Sequence, residues 1–134
     1  MEGFILKVVT PEGEAFSGEV KGILLRTTEG DVGILKGHIR YVATLSEGYL
    51  KIRFLDGSER LATCMNGFVS VQDDVVRIIV KCFEYADEID VERAQAAKEK
   101  AEKRIADHRS DTDVILAEAK LKRALTRLRV SGNL

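Results

Sequence analysis

The sequence predicts an α+β protein in two parts: an N-terminal antiparallel β-sandwich over residues 1–85, then a C-terminal antiparallel α-helical hairpin over residues 86–134. Ten of the eleven glycines lie between Gly3 and Gly67. Residues 84–129 contain no glycine or proline and hold 22 of the 43 charged residues. Frequent glycine is typical of a chain that turns often, and its absence favours long helices.

Short apolar runs bounded by turn residues predict the strands of the first part. Pro11 and Gly13 mark the first turn, and Asp56-Gly57 is a strong hairpin signal because such turns need a positive φ. Asn66-Gly67 is expected to reverse the chain in the same way. The expected strands are Phe4–Val9, Val20–Thr27, Gly48–Leu55, Glu59–Met65, Phe68–Val71 and Val75–Phe83. Strands this short, with turns about every ten residues, indicate a sandwich or barrel.

Helical spacing of apolar residues predicts the two helices of the second part. Asp90 is a suitable N-cap for a helix that continues to about His108. A polar connector, Arg109–Asp113, leads into a second helix from Val114 to Arg129. The apolar stripes of the two helices consist of Ile89, Ala94, Ala97, Ala101 and Ile105, and of Ala117, Leu121, Ala124, Leu125 and Leu128. Because alanine buries little area, we expect stable helices whose docking is only marginal.

Composition excludes several functional classes. The net charge of −1 and the pI of about 6.2 argue against general nucleic-acid binding. Cys64 and Cys82 lie in apolar runs without a CxxC spacing or a histidine cluster, so we expect reduced thiols and no metal site. The sequence has neither a signal peptide nor a run of about 20 apolar residues, so direct membrane insertion is not expected.

A glycine cluster supplies the first sign of a family. The string Gly30-Asp31-Val32-Gly33-Ile34-Leu35-Lys36-Gly37-His38 is not a phosphate-binding P-loop, since GxxxxGK[ST] is absent. Read sterically, it is a glycine-rich turn and bulge. It also resembles the G-x-x-G-I-L-x-G-H segment of the epsilon subunit of F-type ATP synthases. The remaining chain agrees with that resemblance in its length, its β domain and its charged two-helix tail.

The resemblance implies a non-catalytic subunit of the central stalk of a proton-translocating ATP synthase, which couples proton flow to ATP synthesis. The β domain would contact the gamma subunit and the c-subunit ring through a docking loop that contains Gly30, Gly33, Gly37 and His38. Such a subunit would be peripheral, on the cytoplasmic face of the bacterial cell membrane.

The resemblance also implies a regulatory tail, which either folds onto the β domain or extends into the alpha/beta catalytic head and inhibits ATP hydrolysis. Five basic residues of the second helix would contact the head in the extended state: Lys120, Lys122, Arg123, Arg127 and Arg129. The same residues could equally form an ordinary solvated basic face.

A six-residue pattern, Ile89-Asp90-Val91-Glu92-Arg93-Ala94, matches the [IL]-D-x-x-R-A motif of epsilon subunits that bind ATP. By that resemblance the ATP-binding residues are Glu84, Ile89, Asp90, Arg93, Ala94, Lys100, Arg123 and Arg127. Lys100 stands where strong binders have arginine, which keeps the charge and loses the bidentate fork. Asp90 as a plain N-cap and Arg93 as its i+3 partner remain alternatives.

The same residues make chemical sense without the family. Arg93 and Lys100 are seven residues apart and share a helix face, while Arg123 and Arg127 share another and repel each other. A triphosphate would relieve that repulsion when the hairpin folds. No nucleophile or general-base constellation accompanies these cations, so ATP would be a regulatory ligand that is bound without turnover. The role needs no cofactor, and the requirement for Mg²⁺ is left open.

Three other functions are compatible with parts of the sequence. Catalysis is disfavoured because the only histidines, His38 and His108, fall in polar turns or connectors. Nucleic-acid binding by the basic helix is disfavoured by its acidic neighbour and by the absence of aromatic platforms. The main alternative is a free-standing β-sandwich adaptor whose helical tail binds a partner protein.

Overall fold

A computed structural model describes residues 2–134, which form two compact units. One unit ends at Tyr85 and contains all the strands, and the other begins at Ala86 and contains the helices. The strands are β1 Phe4–Thr10, β2 Gly13–Val20, β3 Gly22–Thr27, β4 Gly30–Leu35, β5 Tyr41–Arg53, β6 Glu59–Gln72 and β7 Val75–Tyr85. A single 3₁₀ turn, Ala86–Glu88, precedes the helices α1 Val91–Asp107 and α2 Asp111–Val130.

The seven strands form one hydrogen-bonded sheet in the order β2-β1-β7-β6-β5-β3-β4. The expected β domain followed by a helical hairpin is confirmed. Five neighbouring pairs are antiparallel, but β1 and β7 run parallel, which differs from the purely antiparallel sheet we expected. Parallel neighbours need a long connection, and here almost the whole β unit supplies it.

The core of the β unit consists of residues that alternate along the strands. Leu6 and Val8 from β1 are fully buried, as are Leu50 from β5 and Ile78 from β7. Cys64 belongs to the same core, and its burial raises the pKa of its thiol to about 12. Such a thiol is inert at neutral pH, which agrees with the expected role of a small buried hydrophobe.

The predicted reversal at Asn66-Gly67 is wrong, because β6 runs unbroken through both residues. Asn66 does have the positive φ (61°) that the motif predicts, but the chain uses it for a bend within the strand. Cys64 is buried before the bend and Val69 after it, five residues later. Regular alternation would place residues an odd number apart on opposite faces, so the pattern of inward-facing residues shifts by one at the bend. A Cβ on Gly67 would collide with the Ile79 carbonyl oxygen, so the close approach of β7 requires glycine here.

The sequence-based prediction misses two strands and begins a third, β5, too late. Both missed strands, β2 and β4, are edge strands, and half of the residues in each are exposed. Such strands lack the apolar alternation that identifies a strand in sequence, and pairing with β1 and β3 decides their conformation instead. Strand β5 begins at Tyr41 rather than at Gly48 because it pairs with β6 along nearly its full length.

Both helices begin at side-chain caps. The Asp90 carboxylate accepts a hydrogen bond from the Arg93 N–H at 3.0 Å, as predicted for an N-cap. His108 ends α1 in the left-handed conformation, with φ 44°. Helix α2 begins three residues earlier than expected because Ser110 is its N-cap and accepts from the Asp113 N–H at 3.0 Å. The acidic residues of the expected connector thus lie in the first turn of α2, where the helix dipole favours them.

The predicted apolar stripes largely agree with the burial observed in the helical unit. Ala94 and Ala101 of α1 are buried, and so are Ala117, Ala124 and Leu128 of α2. Ala97, which was also expected on the stripe, is exposed. Across residues 2–134, neither helix combines the length and apolarity that a bilayer crossing needs.

Candidate functional site

The four residues predicted to form a docking loop do not share one loop. Gly30 and Gly33 lie in strand β4, whereas Gly37 and His38 follow it. Because β4 spans six residues, Gly30 and the end of the strand are about 16 Å apart. The glycine cluster is therefore an edge strand followed by a turn, and the expectation of a single loop is wrong.

The Gly30 end of β4 is fixed by an ion pair on the sheet surface. Arg26 on β3 contacts Asp31 on β4, with Nε and Oδ1 2.6 Å apart. This hydrogen bond holds the pKa of Asp31 below its ordinary value. The Thr27 hydroxyl donates to the Gly30 carbonyl at 2.9 Å and closes the β3–β4 turn. These contacts explain a rigid hairpin and need no ligand.

The Gly37 end of β4 leads into an irregular stretch, residues 36–40, which we call the docking segment after the role that the resemblance predicts for Gly37 and His38. Gly37 has a φ of 83°, and its N–H donates to a carboxylate oxygen of Asp74 at 2.8 Å. The His38 ring meets the ring of Tyr41 edge to face, with centroids 5.6 Å apart. Ile39 between these contacts is 78% exposed. The segment is thus held at fixed points while it displays a large apolar side chain.

A row of exposed apolar side chains crosses four adjacent strands, and sequence reasoning missed it. Val9 pairs with Ile79, and Ile79 pairs with Phe68. On β5 the residue paired with Phe68 is Thr44. Val42 is two residues before Thr44 and therefore lies on the same face of the sheet. These four residues, the apolar row, are between 38% and 72% exposed. A contiguous apolar patch on a sheet surface is typical of a binding interface.

A signal for the apolar row was present in the sequence. Residues Ile78-Ile79-Val80 break the alternation that a strand with one wet face should show. Only the register reveals that Ile79 has apolar neighbours on both sides, and the register depends on the parallel β1–β7 pair.

Some residues of the six-residue nucleotide motif are buried or cap the helix, and others are exposed to solvent. Ile89 and Ala94 are buried at 8% and 4% exposure, and Asp90 caps α1. Arg93 and Lys100 are exposed along the same helix. The motif therefore starts the helix and leaves Arg93 exposed, as is Lys100 two turns further along the same helix.

The register of the two helices indicates which basic residues lie at similar heights along the hairpin. Arg104 on α1 forms an ion pair with Asp113 on α2. Moving equally far from that pair along both helices brings Arg93 level with Ala124, between Arg123 and Arg127. Lys100 lies about 10 Å from Arg93 along the axis, at 1.5 Å per residue. By this count Arg93, Arg123 and Arg127 lie within about one helical turn of one another along the hairpin axis, and Lys100 lies about two turns from Arg93.

Glu84, the remaining nucleotide candidate, belongs to the β unit. Its backbone N–H donates to the Thr63 hydroxyl at 3.0 Å. The Cys82 thiol, which is half-buried, donates to its carboxylate at 3.6 Å. These contacts fix the end of β7, where the chain leaves the sheet.

The five basic residues of the proposed inhibitory surface differ in exposure. Lys120, Lys122 and Arg129 are exposed, whereas Arg123 and Arg127 are half-buried. The exposed three are accessible for contacts with a partner, and their role stays a prediction. Among residues 2–134 there is also no cluster of three potential metal ligands.

Two family descriptions together match almost the whole chain. The β-sandwich domain of the delta/epsilon chain of ATP synthase matches residues 3–86, and the long α-helix domain of the same chain matches residues 87–132. The chain belongs to the ATP synthase delta/epsilon family. The resemblance carried by the glycine cluster and the two-part organisation is thereby confirmed.

Individual relatives of this epsilon-family chain agree. The ATP synthase epsilon chains of Staphylococcus aureus strains JH9 and Newman are 44% identical over 127 residues, 94% of each chain. A chain of the Euglena gracilis mitochondrial ATP synthase structure with OSCP, F1 and c-ring gives a TM-score of 0.85 at 26% identity. That match covers 94% of this chain and 79% of the Euglena chain.

A more distant structure supports the fold alone. A chain of the Tetrahymena thermophila mitochondrial ATP synthase central stalk and c-ring has a TM-score of 0.61 at 17% identity, over 95% of both chains.

Proposed function

We propose that this epsilon-family chain is a non-catalytic subunit of the central stalk of a proton-translocating F-type ATP synthase. It joins the gamma subunit to the c-subunit ring and so couples proton flow to ATP synthesis, at the cytoplasmic face of the bacterial membrane. The observation that carries this proposal is the apolar row, because a stalk subunit needs a surface that stays buried against its partner. Family membership favours this role over that of a free-standing adaptor.

The apolar row is the surface proposed to bind the gamma subunit. Ile79, Phe68 and Val9 adjoin one another across three strands, so they form one patch rather than scattered exposed residues. Each large apolar side chain contributes on the order of 1.5–3 kcal/mol when it is fully removed from water. Several such side chains together give a stable interface without any charged contact.

A substitution within the row tests this docking surface. Phe68→Ser should weaken binding to an epsilon-depleted complex of alpha, beta and gamma subunits by roughly tenfold, because the lost apolar burial is worth about 1.4 kcal/mol or more. Leu55→Ser is a matched control, since Leu55 is 41% exposed and Phe68 is 42% exposed. Equal affinities of the two variants in a titration of the complex would contradict the proposed surface.

The helical unit is the proposed regulator of ATP hydrolysis. In its extended state the basic second helix would reach the alpha/beta head and obstruct rotation, and in its folded state ATP would bind the cations of the hairpin. Support for the nucleotide site comes from the Arg104–Asp113 pair, because counting along both helices from it puts Arg93 within about one turn of Arg123 and Arg127. If ATP binds only the folded state, tenfold excess over the dissociation constant stabilises that state by about 1.4 kcal/mol.

Two measurements test the regulatory role separately. ATPase activity of the reconstituted complex should rise when residues 89–134 are deleted, and unchanged activity would contradict inhibition by the tail. Calorimetric titration of the isolated chain with ATP, with and without Mg²⁺, should give binding heat that Arg93→Ala reduces. Absence of heat from the unsubstituted chain would remove the nucleotide site and leave the docking role standing.

A further inference from the structure

The turn between β6 and β7 places two aspartates in a backbone conformation that usually favours glycine or asparagine. Asp73 and Asp74 both have positive φ, 53° and 59°, between the paired residues Gln72 and Val75. Two-residue hairpin turns of this conformation favour Asn-Gly, because glycine adopts positive φ without steric cost. An aspartate at the second position of the turn therefore suggests a task for its side chain beyond the turn.

The Asp74 side chain has such a task. One of its carboxylate oxygens accepts the Gly37 N–H at 2.8 Å, a bond between residues 37 apart in sequence. Its own carbonyl accepts the Ile5 N–H at 3.0 Å, which ties the turn to the start of β1. Asp74 thus links the docking segment to two strands of the sheet.

The bond to Asp74 supplements two local contacts in the docking segment. The His38 N–H donates to the Leu35 carbonyl at 3.2 Å, and the His38 ring lies against Tyr41. Both of these join residues close in sequence. The Asp74 bond connects the segment to a residue distant in sequence, so it helps to fix where Ile39 stands relative to the sheet.

The position of the segment indicates its partner. Asp74 immediately precedes β7, and the other end of that eleven-residue strand, Tyr85, leads to the helices. The two ends of β7 are about 33 Å apart. The docking segment therefore lies at the end of the sheet opposite the point where the chain departs toward the proposed regulatory tail. Since the apolar row is the surface proposed for the gamma subunit, we assign the exposed Ile39 of this segment to the c-subunit ring.

We propose that Asp74 is the positioning residue of the docking segment and holds Gly37 and Ile39 in the conformation that contacts the c-subunit ring. The proposal rests on the stalk function proposed above. The carboxylate does not itself touch the ring, and its effect passes through the Gly37 amide.

Substitutions at Asp74 distinguish loss of its hydrogen bond to Gly37 from a change in the conformation of the turn. Asp74→Gly removes the acceptor while glycine suits the positive φ, so the turn itself is kept. Asp74→Asn keeps an acceptor oxygen and removes the charge. Asp73→Gly is the matched control, since it makes the same change one residue earlier in the same turn.

Amide exchange and binding are measured on the same variants. Exchange of the Gly37 amide with deuterium should accelerate in Asp74→Gly and stay slow in Asp74→Asn and Asp73→Gly. Affinity for epsilon-depleted complete ATP synthase should fall about fivefold in Asp74→Gly, as expected when one oriented hydrogen bond is lost. Affinity for the soluble complex of alpha, beta and gamma subunits, which has no c ring, should not change.

Several outcomes would contradict the proposed role of Asp74. Unchanged Gly37 exchange in Asp74→Gly would show that the hydrogen bond does not hold the segment. Accelerated exchange with unchanged affinity would show that positioning does not matter for docking. Equal losses of affinity in Asp74→Gly and Asp74→Asn would assign the effect to charge.

A substitution at Ile39 distinguishes failure of the anchor from failure of the docking role. Ile39→Asp should weaken binding to the complete enzyme, since it places a charge on the exposed apolar contact. If Ile39→Asp leaves that affinity unchanged, the docking segment itself is refuted. If Ile39→Asp weakens binding and Asp74→Gly does not, only the role of Asp74 is refuted.

Discussion

Arg104 and Asp113 form an ion pair across the turn of the helical hairpin, and both side chains are about three-quarters buried. The pair lies one helical turn before His108 on α1 and at the first turn of α2. It joins the two helices beside a connection of only three residues. The pair therefore joins α1 and α2 at one defined point of the hairpin.

Breaking this pair should loosen the hairpin. Arg104→Ala leaves the Asp113 carboxylate without its strongest partner, so α1 and α2 should separate more readily. Amide exchange in the first turn of α2 should accelerate, and the urea midpoint of the helical signal should fall. Glu102→Gln is the control, because the Lys98–Glu102 contact is 3.9 Å long and lies within one helix. Equal effects of the two substitutions would contradict a special role for the pair.

Acid should weaken the hairpin through the same carboxylate. The hydrogen bond from Arg104 holds the folded-state pKa of Asp113 below its ordinary value. The stabilisation is therefore complete above the unfolded-state pKa, about 3.9 for aspartate, and is lost as the pH falls through the folded-state pKa. A carbon-detected NMR titration should find the pKa of Asp113 below about 3.9, and closer to that ordinary value in Arg104→Ala, where Arg109 and Lys120 still lower it. Titration at the ordinary pH in the unsubstituted chain would show that the pair does not persist in solution.

The close approach at Gly67 should make that position intolerant of any side chain. Gly67→Ala places a Cβ against the Ile79 carbonyl oxygen, which is backbone and cannot swing away. We expect a loss of more than about 3 kcal/mol in the free energy of unfolding. Gly33→Ala is the control, because a Cβ at Gly33 has open space and no positive φ. Urea denaturation of both variants checks this, and similar midpoints would show that β7 yields easily at Gly67.

The two roles considered for Asp90 can be separated by one conservative change. Asparagine caps helices about as well as aspartate, so Asp90→Asn should leave helix stability nearly unchanged, whereas Asp90→Ala should cost about 1 kcal/mol. If the carboxylate contributes to the nucleotide site, Asp90→Asn should reduce the heat of ATP binding while the helical circular dichroism signal stays constant. Full ATP binding by Asp90→Asn would assign Asp90 to capping alone.

Local chemistry explains what the sequence could predict. The Asp90 cap depends on neighbouring residues only, as does the Asp56-Gly57 turn, where Gly57 has a φ of 87°. Asn66-Gly67 carries the same local signal and was misread, because the partner strand β7 continues past it and keeps β6 extended. A positive φ is thus predictable from sequence, but what the chain does with it depends on tertiary pairing.

The features of the candidate site that were missed all join distant residues. Asp74 bonds to Gly37, and Val9 lies beside Ile79 only because β1 and β7 are parallel. No periodicity in one segment reports such pairings. The nucleotide candidates on the helices were found because a motif and helical spacing are both local.

The bend at Asn66 has a mechanical consequence. Strands β5 and β6 run for 13 and 14 residues and remain paired on both sides of the bend. No loop interrupts this ladder at which one half of the sheet could slide past the other. A twisting load applied at one end would therefore be shared among many backbone hydrogen bonds, which favours a stiff response over shear.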